Sequence, residues 1–400
     1  MNVSRSRLAL LLLALGAAAC SAETEPETTA YAVRDSVGVR VIESHTPLWD
    51  TGQQRWTVDP NPVLDLSTAG TGPEHQLSSV RNATRLPDGR IAVANAGTSE
   101  VRIYGENGRW LQTLGGEGYQ PGEYSRLIGV HAYRGDSIAV FDLGAYRITV
   151  LDRAGALGRT AQITGFGDYP GEIYPIEDGR FLLRTNTLSA REGASGRIRV
   201  PAPLIVLTPE GKGGDTVTVA AGFETWVFEQ GDARPPYPAE SVQAVRGDRL
   251  VVGDASGMEY RVYDLDGTLA SIARIPVYDL TISARDRDTL RMVMMEREMQ
   301  AFLVPVQEAM AAAIPKQRPA YSAVRLGPDG DVWLASYVQP TLPAPGPREW
   351  IVFGAEGEWL GTVTLPPGFE LYEVGDDYLL GKKEDELGVE TVQMLRLVRG

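Results

Sequence analysis

The sequence predicts an all-β fold: a six-bladed β-propeller with a small helical insertion between blades four and five. Three observations predict it. A four-stranded unit recurs six times, its turn glycines fall mostly about 45 residues apart, and its strand runs alternate with period two.

Each unit opens with an alternating apolar segment and turns at a sequence containing Asp and Gly. A second apolar strand, a small polar loop and two further strands follow. The clearest copies are TRLPDGRIAVANAGTSEVRIYGENGRWLQTLGG (84–116) and GVHAYRGDSIAVFDLGAYRITVLDRAGALGRTAQI (129–163). Others begin at YPIEDGRFLLRTNT (174–187), VQAVRGDRLVVGD (242–254), SAVRLGPDGDVWLAS (322–336) and LYEVGDDYLLGKK (371–383). Gly89, Gly135, Gly179, Gly247, Gly330 and Gly375 mark the first turns, at intervals of 46, 44, 68, 83 and 45 residues. Three of these intervals match one four-stranded blade. The two long ones are a blade plus an insertion, because neither holds another complete copy. PDG, EDG, ENG, LDG and AEG supply turns in which Gly accepts positive φ. Such sheets are apolar on both faces and are stable only when stacked, so a closed ring is expected.

The last copy has three strands. RWTVDPNPVLDLSTAG (55–70) is expected to supply its fourth, so that the last blade mixes both ends of the propeller, residues 35–400. VGVRVIESH (37–45) is a further N-terminal strand. Ahead of these, Arg5 and Arg7 precede the apolar run LALLLLALGAAA (8–19), which is too short to span a bilayer and ends at Cys20, the only cysteine. Residues 1–19 resemble a bacterial lipoprotein signal, with Ala18, Ala19 and Cys20 at the junction. The resemblance implies lipidation of Cys20, a flexible tether over 20–34 and placement in the cell envelope, at the outer membrane. An ordinary signal peptide is the alternative. The body holds no intramolecular disulfide.

The formal charge is −14, and loss of Arg5 and Arg7 with the signal leaves −16. That balance argues against nucleic acid as a partner.

Two insertions interrupt the repeat. The first covers about 186–202 and 222–240. It reads as polar, Gly- and Pro-rich loops that carry Trp226, Phe228 and Tyr237 to cover one end of the ring. The second, about 281–318, lacks strand alternation. Helix formers from Asp286 to Gln300, with Leu290, Met294, Met299 and Phe302 or Leu303 at three-to-five-residue spacing, predict an amphipathic helix. Pro305 ends it, and 306–314 starts a shorter one. This methionine-rich stripe is expected to pack on the blades, or to form a greasy lid or partner surface.

No catalytic motif is present. His45, His75 and His131 lack metal-ligand spacing, and only His131 falls in an innermost strand facing the axial channel. The loop acids Glu117, Glu123, Asp142, Asp168, Glu172 and Asp254 are oxygen ligands that Ca²⁺ accepts, but no calcium-type loop organises them, so no cofactor is predicted. Arg85, Arg134, Arg246 and Arg325 border the first turn of four blades. They form a basic rim or cap turns. Asp142 with Arg147, Asp254 with Arg261 and Asn95 with Arg102 recur around the loop between second and third strands.

The repeat resembles the NHL-like six-bladed propellers over about residues 35–399, and GGEGYQPGEY (115–124) resembles their G-x-G-x-x-P-G-E-F linker, with Tyr124 for Phe. The resemblance implies that the acid–arginine pattern ties loop to neighbouring strand. Scaffold and address together lead to a non-catalytic envelope scaffold that binds a protein, peptide or glycan. His131, the four arginines, Trp226 and Tyr237 are its candidate contacts. The alternative is a propeller-type hydrolase or lyase with its site at the channel mouth.

Overall fold

In the computed structural model the chain is described over residues 29–400, except 53, 168 and 340–345. Cys20, the leader and Asp168 lie outside the described residues.

The chain forms six sheets in a ring. Blade one is Val80–Arg85, Ile91–Asn95, Glu100–Tyr104 and Trp110–Gly115. Blade two is Leu127–Tyr133, Ser137–Asp142, Arg147–Leu151 and Leu157–Gln162. Blade three is Tyr169–Pro175, Phe181–Asn186, Gly196–Leu207 and Gly213–Phe228, edged by Gly231–Ala233. Blade four is Val242–Arg246, Arg249–Gly253, Glu259–Asp264 and Leu269–Arg274. Blade five is Tyr321–Leu326, Val332–Ser336, Arg348–Phe353 and Trp359–Leu365. Blade six is Phe369–Val374, Tyr378–Glu384 and Glu390–Val398, completed by Thr57–Asp65. The first strand of each blade touches the first strand of the next, the last touching the first, so these strands line the axis.

The period-two alternation builds the core directly. In blade one Ala92 and Ala94 pack toward blade two, while Ile91 and Val93 pack toward blade six. In blade two Ile138 and Val140 face blade one, and Ala139 and Phe141 face blade three. Every second strand thus feeds two interfaces, and each neighbouring pair of blades shares one apolar cluster.

The closing strand is the predicted one: Thr57 to Asp65 pairs antiparallel with Gln393 to Val398. The N-terminal hairpin Tyr31–Ser36 and Val39–Ser44 sits elsewhere, on the outer edge of blade four. Its second strand pairs parallel with Leu269–Arg274, and Arg274 reaches Glu43. Glu43 and Arg274 exchange a charge-assisted hydrogen bond at 2.9 Å, which fixes that edge.

The first insertion differs from the expected loops. Strands three and four of blade three are prolonged into a two-stranded ribbon from Gly196 to Val200 against Phe223 to Val227. Polar residues such as Arg197, Arg199 and Glu224 mask the alternation there, although the ribbon buries Val200, Thr225 and Val227. Gly222 turns it, with φ of +77° and no room for a Cβ beside the Val200 carbonyl. The second insertion is helical: α1, Ala284–Glu296, and α2, Val304–Ala312. Ser283 caps α1, accepting from the Asp286 amide at 3.0 Å. Pro305 lies in the first turn of α2, where its missing N–H costs nothing, so it starts that helix as well as following the first.

The repeated polar pairs tie each linker to its blade. Asp142 accepts from the amides of Ser125 (3.1 Å), Arg126 (2.8 Å) and Gly144 (2.9 Å). Arg147 lies 3.7 Å from it and donates to the carbonyls of Tyr119 and Glu123. In blade one Asn95 accepts from the Ser78 amide, and Arg102 donates to the Pro73, Glu74 and Gln76 carbonyls. Blade four departs from the pattern, because Arg261 pairs with Glu259 at 3.0 Å instead of Asp254. Asp142 is buried, so Asp142→Ala is expected to cost ~3–5 kcal/mol by stranding Arg147 and three amides. Urea unfolding checks it, and a loss under about 1 kcal/mol would show that the linker finds other partners.

Candidate functional site

Turns between first and second strands open on one face of the ring. Loops between second and third strands, and the linkers between blades, open on the other. Both insertions therefore lie on the second face, opposite the predicted basic rim.

The four arginines prove to be staples between blades. Arg85 lies over the Tyr378 ring of blade six, 4.9 Å from its centroid. Arg134 donates to the Asp178 carbonyl of blade three (3.1 Å). Arg246 donates to the Leu326 carbonyl of blade five (3.1 Å), and Arg325 to the Leu371 carbonyl of blade six (3.0 Å).

On the insertion face, Tyr237 is buried with Ile282, Leu290 and Tyr337, joined by Met294 and Ile314. Its ring lies 6.0 Å from that of Tyr337, and its carbonyl accepts from Arg197 at 2.8 Å. Tyr237 thus welds the two insertions together. Trp226 stays half-buried in the ribbon, paired in register with Arg197 and Ala233.

His131 occupies the channel. Its ring is 5.3 Å from Phe141 and 6.3 Å from Tyr174. Burial, then the Arg325 charge, push its imidazole down to about 4. Burial and the adjoining Glu172 push the Tyr174 phenol upward, and burial with Glu370 does the same to Tyr372. At neutral pH the channel therefore holds a neutral imidazole and neutral phenols beside the Arg325 cation.

The His131 value has a consequence for stability. The unfolded ring, near 6.5, binds a proton that the folded ring refuses until about pH 4. Stability is present above that window and is lost as pH falls through it. The ring is partly open to the channel, so the expected loss between pH 7 and 4 is about 1–3 kcal/mol. The stability difference between the native protein and His131→Phe, followed by denaturant titration at both pH values, should change by that amount. A constant difference would exclude His131 as the source.

A polar network runs from the channel to the insertion face. Tyr174 donates to Glu172 at 2.7 Å, and Gln243 of blade four donates to both. Glu172 lies 4.0 Å from Arg184, which donates to Glu240 at 3.3 and 3.4 Å. Arg184 and Glu240 line a cavity of about 360 Å³ together with Asn186, Phe223, Glu224, Asp232 and Arg234. Two atoms there are buried without a protein partner: Arg184 Nε and Asn186 Oδ1. Arg184 itself is only 5% exposed. Buried polar atoms are almost always paired, so an orphaned donor and an orphaned acceptor on two residues that line one cavity are an unmet pairing that a ligand presenting both would complete. A smaller cavity of about 200 Å³ lies farther out between blades three and four.

Of the sequence candidates, the structure places His131 in the channel, Trp226 and Tyr237 in the insertions and the arginines between blades. It does not gather them at one point. Glu172 enters the network as a hydrogen-bond acceptor, while Glu123 accepts from the Gln120 amide at 2.9 Å. Among the described residues, no three His, Cys, Asp or Glu side chains stand together to hold a metal. Arg184, Asn186, Gln243 and Glu240 escaped the sequence reading. One signal marks them: Glu172-Ile-Tyr174 precedes Arg184 by twelve residues, as Glu370-Leu-Tyr372 precedes Lys382. In both blades the base meets the inner carboxylate, at 4.0 Å in blade three and 3.4 Å in blade six.

No family model matches the chain, and no curated protein matches it. Among solved structures it is similar to a protein described as exported from Bacteroides fragilis, at 12% identity over 86% of this chain and 95% of that one, with a TM-score of 0.49. It is similar to a gluconolactonase from Xanthomonas campestris at 13% identity, covering 81% and 87% of the two chains, with a TM-score of 0.42. It is also similar to a catalytically inactive virginiamycin B lyase from Staphylococcus aureus, at 12% identity over 80% of each chain, with a TM-score of 0.41.

Proposed function

We propose that the protein is an exported cell-envelope lipoprotein, anchored through Cys20, whose NHL-like propeller binds a glycan at the insertion-face mouth. The observation that carries the binding half is the orphaned pair, Arg184 Nε and Asn186 Oδ1, on two residues that line the 360 Å³ cavity. Vicinal hydroxyls donate and accept together and satisfy both atoms, whereas a simple anion satisfies only the first. Phe223 offers an apolar wall for a sugar ring, and the carboxylates of Glu224 and Glu240 balance Arg184 and Arg234. The volume suits a mono- or disaccharide. The anchoring half rests on the leader, the lone cysteine and the absence, among the described residues, of any helix long and apolar enough to cross a membrane.

Calorimetric titration with a panel of neutral mono- and disaccharides tests the binding. Heat seen with the native protein and lost in Asn186→Ala supports it. No heat from any panel member at millimolar concentration defeats it.

A hydrolase or lyase at the same mouth is the second reading, favoured by two carboxylates, Glu172 and Glu240, flanking Arg184. Turnover of a bound saccharide that Glu240→Gln abolishes, with affinity kept, would select it. The neutral His131, with a value near 4, is a poor base at pH 7.

A further inference from the structure

The helical insertion buries one side and leaves several large apolar side chains uncovered on the other, among charged neighbours such as Arg291 and Glu296. Leu290 and Ile282, with Met294, pack on Tyr237 and Tyr337. Outward stand Met292 (55% exposed), Met295 (44%), Met299 (36%) and Phe302 (53%), with Val277 (91%) in the linker leading to α1. Met292 and Met295 lie on α1, which ends at Glu296; Met299 follows its extended C-cap Arg297, and Phe302 lies in the short turn Ala301–Leu303 that leads into α2. Packing on the blades therefore accounts for Leu290 and Met294 only.

The chain entering the ring arrives on the same face as this ridge. Tyr31 pairs with Ser44, and Glu43 lies opposite Arg274 at the end of the outer strand of blade four. Residue 275 leads from there into the helical insertion. The amides of His45 and Thr46 both donate to the Ala30 carbonyl, so the entry point is fixed on the insertion face. Ten residues, 21–30, separate Cys20 from Tyr31. Their contour length is at most ~35 Å, and a flexible chain of that length averages about 18 Å between ends.

From this geometry we infer that the ridge Met292, Met295, Met299 and Phe302 lies on a lipid bilayer and turns the insertion face toward it. The inference rests on the anchoring through Cys20 proposed above. A tether this short holds the insertion face at the lipid surface, so a contact too weak to recruit the protein alone becomes the resting state. Methionine suits the task, since its flexible thioether fills an irregular apolar medium without a matching pocket. Glu296, Arg297 and Glu298 stand between Met295 and Met299, so charged groups flank the apolar ones, as at a membrane interface. The acidic body disfavours anionic lipid, so a zwitterionic surface is the matching occupant.

The acylated protein in phosphatidylcholine vesicles carrying nitroxide-labelled lipid provides the test. Acylated Cys20 is not reactive toward thiol reagents, so Met295→Cys and Asn107→Cys each take a single environment-sensitive fluorophore. Asn107 sits on the turn between third and fourth strands of blade one, on the far face. Quenching at 295 is expected to exceed that at 107 about threefold or more. Equal quenching overturns the inference. A mature chain whose mass shows no acyl group overturns the anchoring instead. In that event a hexahistidine segment placed before Ser21, on nickel-chelating lipid, holds the chain at the same point. Equal quenching in that arm then rejects the membrane face independently of acylation.

Discussion

Trp333→Ala should be among the most damaging single substitutions in the ring, costing ~3–5 kcal/mol of stability. Trp333 is fully buried in the cluster between blades five and six, with Trp350, Val363, Leu371 and Leu395. Truncation opens a cavity that the rigid neighbouring strands cannot fill. It also cuts a hydrogen bond, from the indole Nε1 to Asp331 at 2.5 Å, in a site where Asp331 is 2% exposed. The effect reaches the ends of the propeller. Trp56 lies 6.1 Å from Trp333, and Arg399 stacks on Trp56 at 4.3 Å while bonding Asp331 at 3.2 Å. One side chain thus supports the strand that enters the last blade and the residue that leaves it. Trp110 is the control, since it is 37% exposed and bonds only Thr113, so Trp110→Ala should cost under about 1 kcal/mol. Guanidinium midpoints for the two variants check the contrast. Equal shifts would mean that the seam between blades five and six is not where closure is held.

The largest functional effect is expected at Arg184. Arg184→Met keeps most of the volume and removes every donor, so saccharide affinity should fall about 10- to 100-fold, one hydrogen bond to a charged group being ~1.5–3 kcal/mol. The stability cost should be smaller than for a fully buried pair. Glu240 and Glu172 are 43% and 55% exposed, so water takes over much of their solvation and about 1–2 kcal/mol is expected. Arg184→Lys separates charge from shape, because lysine keeps the cation and lacks the planar fork. Calorimetry on the three proteins decides. Full affinity in Arg184→Met defeats the pocket, and full affinity in Arg184→Lys shows that Nε makes no contact with the sugar.

The scaffold was legible because its energetics are periodic. Ile91 to Ala94 and Ile138 to Phe141 display in sequence the alternation that sends them to opposite interfaces. Turn glycines and the missing fourth strand of the last copy located closure. Other features depend on contacts distant in sequence. Nothing in 31–44 says which outer edge it will join, because every blade presents one. Arg246 and Leu326 meet across eighty residues, so a staple between blades looks in sequence like an exposed turn arginine. Arg184 was hidden by its position. The position equivalent to Arg184 in the aligned second strands is Ala94, Phe141, Gly253 and Ala335 in four other blades, which reads as core. The carboxylates of Glu240 and Glu172 make a base tolerable there, and the pairing with Glu172 appears when the first two strands are laid side by side.

The strand 57–65 also sets a timetable. Thr57 pairs with Val398, so the last sheet forms only after a loop of more than three hundred residues has closed. By polymer statistics this costs ~3–4 kcal/mol more than closing a tight hairpin. The other five sheets need partners mainly within their own repeat. A refolding chain should therefore assemble an open arc first, with the face of blade one and the face of blade five bare, and seal late. During that interval the two bare faces, rich in Val, Ile and Leu, compete between closing on each other and stacking on another molecule. Dilution should raise the refolding yield of this protein more than any additive that acts on secondary structure.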